Sequence, residues 1–263
     1  MIASDMIEIP YIFSGFSVGF IVGMTGVGGG SLMTPLLVLL FGFHPATAVG
    51  TDLLYAAITK SCGTAVHHIG NTVEWRVMGL LAAGSLPASL LTLLVLHHFA
   101  VNSNALGEVI SYILGYALLL TVLSLIMRRY ILVLARRLSV YRNPRLQAVV
   151  TILLGAMLGT VVSLSSVGAG AIGVTALILI YPHLPIVRIV GTDIAHAVPL
   201  TLVAGLGHLA MGSVNLPLLA SLLIGSLPGI ALGSLTAPRI PEQVLRVLLA
   251  AILALIGIRL VLH

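Results

Sequence analysis

Apolar residues run along this chain in blocks too long for a soluble core, broken at intervals by glycine, proline and short polar stretches. Leu80–Phe99, Val109–Met127 and Val244–Leu262 each supply the roughly 20 mostly apolar residues that a helix needs to cross a bilayer. Pro87 interrupts the first, which a membrane helix tolerates because neighbouring groups satisfy the freed backbone. In the first half the pattern predicts a glycine-broken element over Tyr11–Phe41, then helices over Ala46–His68, Val73–Phe99 and Ala105–Met127. In the second it predicts a broken element over Ala148–Tyr181, then helices over Ile186–Met211, Asn215–Thr236 and Glu242–Leu262.

The two halves are copies of one unit. Gly15, Gly19, Val27, Gly28, Gly30 and Pro45 match Gly155, Gly159, Val167, Gly168, Gly170 and Pro185 at one constant offset. After a one-residue insertion, Gly50-Thr51-Asp52 matches Gly191-Thr192-Asp193, His67 matches His208, and Gly84-Ser85-Leu86-Pro87 matches Gly225-Ser226-Leu227-Pro228. Shared leucine content does not place a GTD triplet, a GSLP tetrapeptide and a glycine ladder in the same order. The expected division is residues 1–127 as a first transmembrane repeat, 128–146 as an arginine-rich loop, and 147–263 as a second repeat.

A single helix over Tyr11–Phe41 would extend about 46 Å against a hydrocarbon core of about 30 Å. Its second piece, Ser31–Phe41, is too short to cross alone, so a re-entrant hairpin is expected in each half. That leaves three crossings per half, an odd number, which inverts the second half relative to the first. The count is six crossings with two re-entrant hairpins, or up to ten if every piece crosses.

Composition agrees with this pattern. Of 263 residues 59% are hydrophobic and 7% charged, with a mean hydropathy of +1.18, whereas a soluble domain carries roughly 25% charged residues to cover its surface. The fold class expected is an all-α polytopic membrane protein of two inverted structural repeats. The net charge of +5 is concentrated: Arg128, Arg129, Arg136, Arg137, Arg142 and Arg145 are half of the twelve basic residues, and no aromatic interleaving points to nucleic acid. Such a cluster reads as a cytoplasmic topology signal, although the same charges could form a lipid-binding patch. With inverted halves, Arg76, Arg188, Arg239 and Arg246 also fall on the cytoplasmic side, Arg259 falls outside, and both termini lie outside. The segment before the first apolar run, with Asp5 and Glu8, lacks the basic start of a cleaved signal peptide. Cys62, a lone cysteine in an apolar helix, is expected as a small packing residue.

Chemistry is concentrated at two kinds of position. Gly26-Val27-Gly28-Gly29-Gly30-Ser31 would leave backbone polar groups open at membrane depth, which is tolerated only in protein or against a cavity. The half-helix that follows offers free N–H groups and a positive dipole end to an anion. Ser166-Val167-Gly168-Ala169-Gly170 repeats the arrangement, with Ser165 and Ser166 as added hydroxyls. Gly15, Gly19 and Gly23, like Gly155 and Gly159, instead read as small-residue faces where helices approach.

The second kind is the ionisable residue in an apolar helix. Asp52, Lys60 and Asp193 are costly in lipid and should face the bundle interior or a wet cavity. Asp52 and Lys60 share a helix face about 12 Å apart along the axis, so Lys60 is free to serve another anion. Asp193 and His196, at i and i+3, are a proton-responsive pair in prospect, and Asp52 is a proton-coupling candidate by the same reasoning. The alternative for the GTD triplets is that Thr51 or Asp52 caps its own helix. His67, His68 and His208 are expected near the membrane interface, as are His97 and His98; Trp75 is expected as an anchor there. No metal-ligand spacing occurs, and no cofactor is expected.

The GVGGGSLMTPLL segment, the paired GTD triplets and GNTVEWR resemble the sulfite exporter TauE/SafE family over nearly the whole chain. The resemblance implies a prokaryotic inner-membrane permease for sulfur oxyanions or organosulfonates, with Gly28–Ser31 and Gly168–Gly170 as substrate-facing breaks. The candidate substrate-binding set is Gly28, Gly29, Gly30, Ser31, Thr51, Asp52, Lys60, Gly168, Ala169, Gly170, Thr192 and Asp193. Its partners would be a small sulfur-containing anion and the lipid bilayer, with a homo-oligomer left open. Alternating access of two rocking halves is the expected mechanism. A passive anion channel is the nearer rival, and an intramembrane aspartyl-type enzyme the more distant one, since the two GTD aspartates are repeat images.

Overall fold

A computed structural model describes residues 8–25, 30–99, 103–137, 143–236 and 242–262. The described residues form ten helices joined by turns and short connections: α1 (Ile9–Thr25), α2 (Gly30–Leu39), α3 (Pro45–Ile69), α4 (Trp75–Phe99), α5 (Ser103–Arg137), α6 (Pro144–Ser165), α7 (Ala171–Ile180), α8 (Ile186–Ala210), α9 (Leu216–Thr236) and α10 (Glu242–Leu262). Among them, segments of α4, α5, α6, α8 and α9 are long and apolar enough to cross a membrane. The all-helical membrane architecture expected from the hydrophobic pattern is therefore observed. α3 falls short on hydropathy because it carries Asp52, Lys60 and two terminal histidines.

Both broken elements double back. Tyr11 at the start of α1 packs edge-on against Phe41, just past α2, with ring centroids 5.0 Å apart. In the second half Gln147 Nε2 donates to Ile180 O at 3.1 Å, and the Thr151 and Tyr181 hydroxyls are 2.9 Å apart. The short helix thus returns to the level where the long one began. α7, with 10 residues, extends about 15 Å, half the thickness of a hydrocarbon core. α6 is 22 residues long, about 33 Å, and could cross by itself.

The packing is reciprocal between halves. α1 lies along α9 and α4 along α6; α3 pairs with its repeat mate α8, and α5 with α10. Gly15 abuts the backbone of Leu222 and Gly19 that of Ser226, so α1 and α9 run in the same direction. Gly155 against Leu81 and Gly159 against Ser85 give α4 and α6 the same relation. Gly15, Gly19, Gly155 and Gly159, which the sequence marks as packing positions, are therefore packing positions. Gly50 abuts His208 while Gly63 abuts Ile194, so the repeat mates α3 and α8 run antiparallel.

Three expectations need correction. Residues 128–137, assigned to a loop, continue α5 as helix. Their leucines, alanines and arginines are strong helix formers, and a 35-residue helix of about 52 Å carries its arginine end well past a bilayer core. α6 then opens at Pro144, where Asn143 accepts the Arg145 N–H at 3.0 Å. Cys62 is exposed rather than packed. His208 is fully buried rather than interfacial: its ring packs against Gly50 and its Nε2 lies 2.9 Å from Ser163 O.

Candidate functional site

The break between α6 and α7 is built by backbone conformation. Ser166 ends α6 in the left-handed region at φ 58°, its N–H donating to Val162 O at 2.7 Å. Gly168 and Gly170 follow at φ 123° and 132°, values that side chains oppose. The Gly168 and Gly170 carbonyls are taken by the first bonds of α7, from Gly173 and Val174. The carbonyl between them, Ala169 O, accepts from Lys60 Nζ at 3.3 Å. A buried ammonium from the first half thus ends on the glycine break of the second.

Two carboxylates flank that ammonium and interact with it electrostatically, Asp52 on α3 and Asp193 on α8. Asp52 is fully buried; its Oδ2 accepts from Thr34 Oγ1 of α2 at 2.5 Å, while its Oδ1 has no partner and the carboxylate faces the Ser166 hydroxyl. Asp193 is equally buried, and its Oδ1 lies without a partner against Gly173 in the first turn of α7, where any β-carbon would collide with it. Asp193 therefore sits beside the opening turn of a half-helix, the end that favours negative charge, while Asp52 is held partway along α2. Thr34 has Val174 as its counterpart, so the two carboxylates are held unequally.

His196, one turn from Asp193, places Nε2 2.8 Å from Ser85 Oγ of α4 and leaves Nδ1 unpartnered. It shares a buried face with Asp193 but does not hydrogen-bond to it. Its repeat image is Tyr55, whose hydroxyl faces Ser226 of α9. The GSLP serines thus line the same interior from both halves. The sequence marked them as repeat images; their pairing with Tyr55 and His196 depends on helix contacts between halves, which no local pattern records.

Thr51 and Thr192 are brought elsewhere. α3 starts at Pro45, so the GTD triplet lies inside the helix and cannot cap it. Instead Thr51 Oγ1 accepts the N–H of Asn215 at the entry to α9, at 3.1 Å, and Thr192 Oγ1 accepts that of Glu74 at the entry to α4, at 2.9 Å. Each threonine caps a helix of the opposite half. Thr192→Val is expected to cost about 1 kcal/mol, the usual value of a lost cap, read as a lower midpoint in thermal unfolding of the purified protein. Arg188 closes the same corner by an ion pair with Glu74.

Gly28 and Gly29 lie outside the described residues; Gly30 and Ser31 open α2. No group of metal-ligating side chains occurs among the described residues. A separate cavity of about 720 Å³ lies where α2 and α10 end and α3 begins, lined by residues that include His44, Glu108, Tyr112 and Arg259.

The family model described as "Sulfite exporter TauE/SafE" matches residues 11–260. The chain belongs to this family. The chain is 39% identical over 258 residues to the "Probable membrane transporter protein YjnA" of Bacillus subtilis, covering 97% of this chain and 100% of that one. It is 26% identical to the "Probable membrane transporter protein YdhB" of the same organism, over 88% and 91% of the two chains, and 27% identical to a "Probable membrane transporter protein" of Xylella fastidiosa, over 87% and 84%. No solved structure matches it significantly. The sequence resemblance to the TauE/SafE family therefore holds along nearly the whole chain, and the protein is a membrane transporter of that family. The arrangement around Lys60 is accordingly an interior feature of a transporter, at the junction of its two halves.

Proposed function

We propose that this transporter is a permease for small sulfur-containing anions, such as sulfite or organosulfonates, which bind at Lys60 between the two halves. The observation that carries the reading is the bond from Lys60 Nζ to Ala169 O across the halves. A buried ammonium held by one neutral carbonyl, at the N-terminus of a half-helix, keeps donor capacity for an oxyanion. The glycines at 168 and 170 let a ligand approach the backbone closely.

The halves are inverted repeats in this reading, supported by the antiparallel course of α3 and α8 and by the reciprocal packing of the other pairs. They rock about the Lys60 site to give alternating access. Arg76, Arg145 and Arg188 lie at the N-terminal ends of α4, α6 and α8, and the positive-inside rule puts this face in the cytoplasm of an inner-membrane protein. Arg259, at the far end of α10, then lies outside, as do both termini.

Purified protein in proteoliposomes, loaded in turn with sulfite, sulfoacetate and thiosulfate, tests the reading. Saturable uptake, accelerated by the same anion on the opposite side, is the expected result. Flux that rises linearly with concentration and shows no such exchange would mean a channel, and no flux of any anion would end the proposal.

A further inference from the structure

The charges at this site do not add up for an anion carrier unless protons travel with the anion. Asp52 and Asp193 contribute two negative charges and Lys60 one positive, so the ionised cluster is already one charge negative. All three side chains are buried, where an uncompensated charge is not screened by water. A monoanion added to the ionised cluster would leave two uncompensated negative charges beside one lysine.

We propose that protons are an obligatory co-substrate of this transporter: an anion enters the Lys60 site only as Asp52 and Asp193 take up protons from solution. The inference rests on the anion site proposed above. Each protonation converts a carboxylate to a neutral carboxylic acid and frees one share of the lysine's charge. With one carboxylate neutral the cluster is balanced, and with both neutral it carries the single positive charge that a monoanion matches. The same event removes the negative charge that Asp193 holds against Gly173 in the first turn of α7 and that Asp52 holds against Thr34 of α2.

The half-helix N-terminus beside Asp193 offsets part of this deficit, but the side chains named around the cluster bring no fixed positive charge besides Lys60. Facing it are the hydroxyls of Thr34 and Ser166, the Ala169 carbonyl, the Tyr55 hydroxyl directed at Ser226, and His196 bonded to Ser85. His196 is the one further group among these that could add positive charge by binding a proton, at its unpartnered Nδ1. That proton too would come from solution. Asp52 Oδ1 and Asp193 Oδ1 are buried and without partners, so each has an oxygen free to take one.

The test is calorimetric titration of the solubilised full chain with methanesulfonate, sulfoacetate and thiosulfate at about pH 6 and about pH 8, in buffers of different ionisation heat. These probes keep a fixed charge over that range, which sulfite does not. Uptake of about one or more protons per anion is expected, with affinity falling about tenfold per pH unit for each proton taken up. Asp193→Asn should lower the proton count, and Asp52→Asn with Asp193→Asn should leave binding nearly independent of pH. Anion binding by the unaltered protein at equal affinity at both pH values, with no proton uptake, overturns the coupling alone. Failure of every probe to bind at either pH overturns the anion site, and the coupling with it.

Discussion

Gly84→Leu is expected to abolish the folded protein, while Gly79→Leu on the same helix leaves it intact. A β-carbon at residue 84 would land on the carbonyl of Ile152 and within 2.8 Å of the Ala156 nitrogen, both backbone atoms of α6. Neither can swing aside as a side-chain tip would. Relief requires α4 and α6 to separate along the crossing where Gly155 and Gly159 also bring the backbones together. The cost should exceed the roughly 1–3 kcal/mol of ordinary overpacking, because a whole interface opens rather than one side chain shifting. Gly79 is exposed with nothing within 4 Å, so a leucine there should change stability by less than about 0.5 kcal/mol. Size-exclusion profiles and thermal unfolding midpoints of the two variants in detergent provide the comparison. A monodisperse Gly84→Leu protein with an unchanged midpoint would contradict the packing described. Gly225→Leu, the repeat image, should fail in the same way against Ile12 and Phe16 of α1.

These glycines show which features a sequence exposes and which it hides. The repeat, the glycine breaks and the apolar blocks are local patterns, and each corresponds to an element of the fold. Lys60 and the two aspartates could be singled out because a charge in an apolar helix is costly wherever the helix lies. What each side chain meets is another matter. Lys60 meets a carbonyl 109 residues away in sequence, and Thr51 meets Asn215, 164 residues away. Those encounters follow from which helix faces pack together, and that choice is spread over many glycine, serine and leucine contacts. Thr34 carries no such mark, because a hydroxyl in an apolar run has no marked cost until a buried carboxylate is known to face it. Ser166 is legible as a hydroxyl of the break but not as one that faces Asp52. The GTD threonines stand in the sequence as candidate substrate ligands, with capping of their own helix as the alternative for the first triplet, because a cap motif is defined by its own helix. Here the bond goes to the opposite half.

Lys60→Met should reduce anion transport to background and destabilise the protein, and the two effects can be separated. Among the described residues, Lys60 is the cation that interacts with the two buried carboxylates. It bonds to Ala169 O rather than directly to either aspartate. The loss should therefore fall below the roughly 3–5 kcal/mol of breaking a directly bonded buried pair, although the remaining charges stay less compensated. A lower unfolding midpoint would therefore follow even if Lys60 were purely structural. Adding Asp52→Asn and Asp193→Asn to the methionine variant removes the stranded charges and should restore most of the lost stability. It should not restore anion binding, because no ammonium remains to receive the substrate. A charge-assisted hydrogen bond contributes about 3 kcal/mol at the upper end, so affinity should fall about a hundredfold. The double variant Asp52→Asn with Asp193→Asn keeps Lys60 and should bind, which distinguishes loss of the cation from loss of the carboxylates. If the triple variant regained both stability and saturable uptake, Lys60 would be the counter-ion of the aspartates and nothing more, and the anion site would have to lie elsewhere. If it regained stability alone, the ammonium would be the group the anion meets.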